Sequence, residues 1–188
     1  MREDTEKVMD NAQKVFKIIS ASKWRMGVLS LVSDLGLPDC WVGAGFVRNA
    51  IWDHYHGRSM TPLNDIDVIY FDRERSSARI DQEILAELES RSPKKPWSVH
   101  NQARMNERNG HEPYSSCRDA IAHWPETATA VALCVDRNQR LSIIAPHGLD
   151  DLLNLVVQPT PSHSAKVVKE RAQIKRWAEI WPKLQFKF

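Results

Sequence analysis

Trp41-Val42-Gly43-Ala44-Gly45-Phe46-Val47-Arg48-Asn49 and, a short aromatic stretch later, Leu63-Asn64-Asp65-Ile66-Asp67-Val68-Ile69-Tyr70-Phe71-Asp72 are the segments from which the fold can be read. A short apolar strand runs into a turn of small residues, and the turn opens a helix. The strand after that helix begins with two carboxylates. Side chains on a strand alternate faces with period two, so Asp65 and Asp67 project from the same side. Two adjacent anions repel unless a cation sits between them, and a divalent metal is the natural candidate. Asp72 has the opposite parity and lies about 17 Å beyond Asp67 at strand rise, so it is not expected to join them.

Working outward, the 188 residues suit one domain, 42% apolar and 27% charged, with a sizeable core. A net charge of +2 gives no sign of the strongly basic surface typical of general nucleic-acid binders. Cys40, Cys117 and Cys134 are odd in number and widely spaced, matching neither a disulfide framework nor a zinc site; reduced thiols are expected. No apolar run approaches the ~20 residues of a membrane span, and the charged N-terminus is unlike a signal peptide. A cytoplasmic protein without a membrane partner is the expectation.

Residues 4 to 34 have helical periodicity, with a break at Ser20-Ala21-Ser22 and Ser22 placed to cap a second helix. Asp39 to Val42 reads as a strand and Phe46 to Tyr55 as a helix, with Gly57 at its C′ position. Ile66 to Phe71 reads as a buried strand, Ser76 to Ser90 as a helix, and Trp97 to Met105 as a polar strand. A loop over 106 to 116 and a short helix to Trp124 follow. Thr127 to Val135 and Leu141 to Ala145 read as a hairpin, Leu149 to Val156 as a short helix, and Ser164 to Trp181 as a last helix. Lys166, Lys169, Arg171, Lys175 and Arg176 make that last helix basic; a solvated face accounts for them, and contact with an RNA acceptor or a triphosphate is the sharper reading.

Gly43-Ala44-Gly45 lets backbone approach a ligand at a helix N-terminus, where anions are favoured, and Arg48 lies one turn in. The same turn could equally serve strand-to-helix geometry alone. It is no Walker loop, because no GK[ST] follows. As a dinucleotide fingerprint it places Arg48 where a third glycine belongs and leaves the second aspartate without a role. A calcium loop fails because Ile69 replaces the third ligand.

Taken together, the glycine turn and the Asp-x-Asp strand resemble the polymerase β-like nucleotidyltransferase superfamily. Locally, Ala44-Gly45-Phe46-Val47-Arg48-Asn49 is similar to the Gly-Gly-x-Val-Arg-Asp of CCA-adding enzymes and poly(A) polymerases. Over its length the chain resembles a bacterial family of nucleotidyltransferase-like proteins, through segments such as Trp124-Pro125-Glu126-Thr127 and Pro146-His147-Gly148-Leu149-Asp150-Asp151.

The resemblance implies an α/β (α+β) nucleotidyltransferase fold: a mixed central sheet, flanking helices, and a β-hairpin plus helical C-terminal addition. It implies a single domain over 1–188, with a core at about 22–105 and an addition at about 106–188. It also implies transfer of a nucleoside monophosphate from an NTP to an unknown acceptor (small molecule, protein or RNA), with Mg2+ or Mn2+ on Asp65 and Asp67. Gly43, Ala44, Gly45 and Arg48 would hold the nucleotide, although Arg48 could instead brace its helix. Superfamily members commonly carry a third carboxylate on the next core strand. That strand offers the amides Asn101 and Gln102, so Asn101 is expected among the nucleotide contacts and Glu126 as the substitute acid. The missing acid, with Ala44 and Asn49 in place of glycine and aspartate, also suits a catalytically weak or inactive nucleotide-binding module.

Overall fold

A computed structural model describes residues 2–188, with side chains from residue 7 onward. Helices α1 (Arg2–Ser20) and α2 (Lys23–Ser33) meet at the expected break, and Ser22 caps α2 by accepting from the Arg25 amide. The strand β1 (Trp41–Gly43) leads through Ala44 into α3 (Gly45–His56). Gly57, at φ 61°, ends α3 with the amide of Arg58 returning to the Asp53 carbonyl, a left-handed stop that glycine adopts without steric cost. Next come β2 (Ile66–Tyr70), α4 (Ala78–Arg91) and β3 (Trp97–Asn101).

The strand expected to reach Met105 stops at Asn101. There the Asn101 side chain accepts from the Ala103 amide and starts a 3-10 turn, Gln102–Arg104, followed by α5 (Met105–Asn109). After α6 (Cys117–Ala122), the strand read from Thr127 is confined to β4 (Ala132–Val135). The amides of Thr129 and Ala130 both fold back onto the Glu126 carbonyl and make a turn of the preceding residues. The other half of the hairpin is β5 (Leu141–Ile144). The segment read as one helix from Leu149 divides into α7 (Asp150–Leu153) and β6 (Val156–Val157). The last helix is likewise broken: α8 (Ala165–Ile174) ends before Arg176, which adopts φ 53°, ψ 37°, and α9 (Trp177–Ile180) starts afresh. A final strand, β7 (Gln185–Phe186), pairs with β6.

The central sheet is mixed, in the order β3-β2-β1-β4-β5. Antiparallel β1 lies between β2 and β4, so the hairpin extends the sheet directly, while β2 and β3 run parallel. Residues paired across strands share a face. Val42, Val68, Leu133 and Val99 therefore point together into the main core, which takes in side chains from Val15 to Leu184. Gly43, Asp67, Ala132 and Ser98 point the other way. On that face Ile69, Ala132 and Ile144 are covered by Cys117 and Ile121 of α6 and by Trp124. Hence one face carries the core helices, and the other carries a smaller cover with the carboxylates beside it. Among the described residues no helix is long and apolar enough to cross a membrane.

Candidate active site

Register places the key groups side by side: Gly43 lies opposite Asp67 on one flank and Ala132 on the other, and Asp67 lies opposite Ser98. At Gly43 an added Cβ would stand 2.9 Å from the Trp124 ring and 3.2 Å from the Ala132 Cβ, so this glycine is required by packing. Gly45 is different. A Cβ there would meet nothing nearer than the Arg48 guanidinium at 3.5 Å, an ordinary contact beside an open pocket.

Between them Ala44 has φ 51°, ψ −123°, a conformation that costs a non-glycine residue about 1–3 kcal/mol. It is over-determined by its surroundings: the Ala44 amide donates to the Val131 carbonyl at 3.0 Å, and its carbonyl accepts from the amides of Val47 and Arg48. With alanine as N-cap, no side chain satisfies the first amides of α3. An uncapped helix start of this kind favours an anion.

Arg48 is buried, 5% exposed, against the rings of Trp52 and Trp177, whose centroids lie 5.0 and 4.6 Å from its guanidinium. Its Nε and Nη2 donate to Asn49 Oδ1 at 3.2 and 2.9 Å, and its Nη1 donates to Thr129 Oγ1 at 3.0 Å. Burial pulls it down to about 10, with Glu126 opposing, so it stays charged at neutral pH. Asn49, where the similar motif has aspartate, still serves as acceptor for Arg48.

Asp65 is exposed at the strand entrance and Asp67 is half-buried behind it. Burial, then the charge of Asp65, pushes the Asp67 carboxyl up to about 6, eased by the Ser98 hydroxyl, Lys175 and Arg48. A pocket of about 90 Å3 is lined by Gly45, Arg48, Asn49, Asp65, Lys175 and Trp177, with the loop 61–64 as its outer wall. A larger hollow of about 400 Å3, between α8, α9 and β7, includes none of these six residues.

Two expected site residues are placed elsewhere. Asn101 is fully buried: Oδ1 accepts from the amides of Asp72 and Ala103, and Nδ2 donates to the carbonyls of Asp72 and Arg75. All four of its hydrogen-bonding positions are taken, which leaves none for a nucleotide. Glu126 is also fully buried and is held by Arg171, Nε to Oε1 at 2.7 Å, while Oε2 has no partner. It influences Arg48 and Lys175 but does not join the aspartates, for among the described residues no three His, Cys, Asp or Glu side chains are grouped to hold a metal. The residue beside Asp67 on the next strand is Ser98.

Within the basic run of the last helix, for which a solvated face or contact with an RNA acceptor or a triphosphate was expected, it is Lys175 that lines this pocket, and nothing in the sequence singled it out from the other four. No cysteine lines this pocket; Cys40, Cys117 and Cys134 are free, and burial pushes all three thiols up, Cys40 to about 12 and Cys134 to about 11.

An uncapped helix start, an Asp-x-Asp strand and a mixed sheet that aligns them define a nucleotidyltransferase-type domain. The chain belongs to the nucleotidyltransferase family, whose sequence profile matches residues 30–186. A solution structure described as revealing a CCA-adding enzyme head domain superposes with a TM-score of 0.81 at 34% identity, over 93% of this chain and 95% of that one. A CCA-adding enzyme solved with CTP gives 0.58 at 15% identity, over 93% of this chain and 43% of that one. The Thermotoga maritima CCA-adding enzyme in complex with tRNA gives 0.57 at 16%, over 93% and 42%. The last two share the fold, and this chain spans less than half their length. No curated protein sequence matches it.

Proposed function

We propose that this chain moves a nucleoside monophosphate from an NTP to an acceptor at the site formed by the start of α3 and the strand β2. The observation that carries the reading is the cross-strand neighbourhood of Gly43 and Asp67, which sets an anion-accepting helix start beside two carboxylates. The relatives solved with CTP and with tRNA make CTP the first donor and tRNA the first acceptor to try.

Asp65, Asp67 and the Ser98 hydroxyl form an all-oxygen donor set, the kind that suits Mg2+ or Mn2+. The fit has support in the register, which sets Asp67 directly beside Ser98 and two residues from Asp65 on the same strand face. Bound there, divalent ions would polarise the α-phosphate and offset charge on the departing pyrophosphate. The protein's own contribution is placement. The amides at the start of α3 receive phosphate oxygens, Arg48 keeps a fixed positive charge behind them, and its contacts with the rings of Trp52 and Trp177 hold that charge still.

Incubating the chain with labelled NTPs, Mg2+ or Mn2+, and tRNA, protein or small-molecule acceptors tests the reading. Turnover should exceed that of Asp65→Asn and Asp67→Asn controls; turnover equal to theirs with every acceptor sinks it. A second reading, a catalytically weak or inactive nucleotide-binding module, is favoured by Ser98 at the position next to Asp67 and by the engagement of Glu126 with Arg171. It predicts metal-dependent NTP binding without turnover.

A further inference from the structure

We propose that Lys175 is the residue that grips the pyrophosphate portion of the nucleotide, carried to the site by the left-handed turn at Arg176. The inference rests on the nucleotidyl-transfer reading and assigns a residue of the C-terminal helices to it.

Three observations lead there. The first is position. Lys175 follows the last residue of α8, some 110 residues after Asp65, yet lines the same pocket as Gly45, Arg48, Asn49 and Asp65. The second is partnership. Arg171, one turn earlier, is held by Glu126, and Arg176 is paired with Glu179. Lys175, by contrast, has no ion pair among the described residues. Its ammonium is half-buried among the cations Arg48 and Arg171 and the carboxylates Asp65, Glu126 and Asp67, in ion-pair contact with none of the three. A lysine so placed, with its donors not committed to a carboxylate, is available to a multiply charged anion that enters the pocket.

The third observation is the backbone. Arg176 at φ 53°, ψ 37° is a conformation unfavourable for a residue other than glycine, and it ends α8 abruptly. The turn brings Lys175 and Trp177 to the pocket on either side of Arg176, whose own side chain stays exposed. The cavity, at about 90 Å3, is well below the roughly 300 Å3 at which pockets for whole small-molecule ligands begin. That size matches a phosphate group held in the pocket, with the rest of a nucleotide lying outside it.

In the transfer step an acceptor oxygen forms a bond to the α-phosphorus. The bond from that phosphorus to the bridging oxygen breaks, and its electron pair leaves with pyrophosphate. The acceptor's proton passes to solvent. Lys175 sits where that leaving charge accumulates.

The test is calorimetric titration of the full chain with CTP, pyrophosphate or CMP, each with Mn2+. In Lys175→Ala, affinity for CTP and pyrophosphate should fall about ten- to a hundred-fold, while CMP affinity stays within about threefold. Lys175→Arg should restore most of the loss. If the alanine variant melts well below wild type, Lys175→Met, of similar length without the charge, provides the same comparison. Wild-type affinity for CTP and pyrophosphate in these neutral variants overturns the assignment, as does an equal loss for CMP. Wild-type protein that binds none of the three ligands overturns the nucleotidyl-transfer reading and this assignment with it. Wild-type binding of CTP with no effect at Lys175 overturns this assignment alone.

Discussion

Asp67 is held in a place that a carboxylate finds unfavourable. Its folded-state value, about 6, lies above the ordinary 3.8, so the native protein favours the protonated form. The sign follows from linkage. Above about pH 6 the charged Asp67 lowers stability; between 6 and 3.8 the penalty fades; below 3.8 it is gone. Asp67→Asn, unfolded with urea in the presence of a chelator, should therefore be more stable than wild type at pH 8 by about 1–3 kcal/mol. The difference should vanish by about pH 4, and a difference independent of pH would show that repacking, not charge, sets it.

At this scale the sequence was informative where local geometry sufficed. Period-two alternation put Asp65 and Asp67 on one side without further knowledge, and the small residues at 43–45 announced a tight turn. It could not separate Gly43, which Trp124 requires, from Gly45, which faces the pocket, because Trp124 is distant in the chain. Asn101 was read as a strand residue near a ligand, whereas its side chain closes a turn; nothing local marks where a polar strand ends.

Among the elements, the loop that delivers Asp65 is tied down by one residue of α3. Asp53, 4% exposed, accepts from the Thr61 amide at 2.8 Å, from the Thr61 hydroxyl at 2.6 Å and from Trp181 Nε1 at 2.8 Å. It thus joins helix, site loop and C-terminal segment at a single carboxylate. Removing it in Asp53→Ala strands three donors, one on a fully buried tryptophan, and should cost about 3 kcal/mol or more. Denaturant melts measure that cost, and a loss under about 1 kcal/mol would mean the joint is merely a surface contact. The caps of α2 and α3 were visible in Ser22 and Gly57. The break at Arg176 was not, since arginine carries no signal for a left-handed conformation and helical periodicity runs on through Trp177.

Considered whole, the chain returns at its end to the helix beside its glycine turn. Trp177, Trp181 and Leu184 belong to the same core as Val42 and Ile66. The five-stranded sheet was only partly legible, because strand order depends on pairings such as β1 with β4 that link segments ninety residues apart. Likewise the basic run on the last helix disclosed its charge but not which of its members turns inward.

The tryptophan cluster has an optical consequence. Trp52 meets the rings of Trp177 and Trp181 edge-on, with centroids 5.4 and 5.1 Å away, and Arg48 lays its charge against Trp52 and Trp177. Indoles this close, tilted against one another, exchange excitation, so their circular dichroism is a property of the group. Trp52→Phe should therefore remove more than one tryptophan's share of the near-ultraviolet signal, and additive loss would show the rings to be uncoupled. The protein thus carries a built-in chromophore at the wall of the pocket beside Asp65, able to report by light whether α9 is packed against α3.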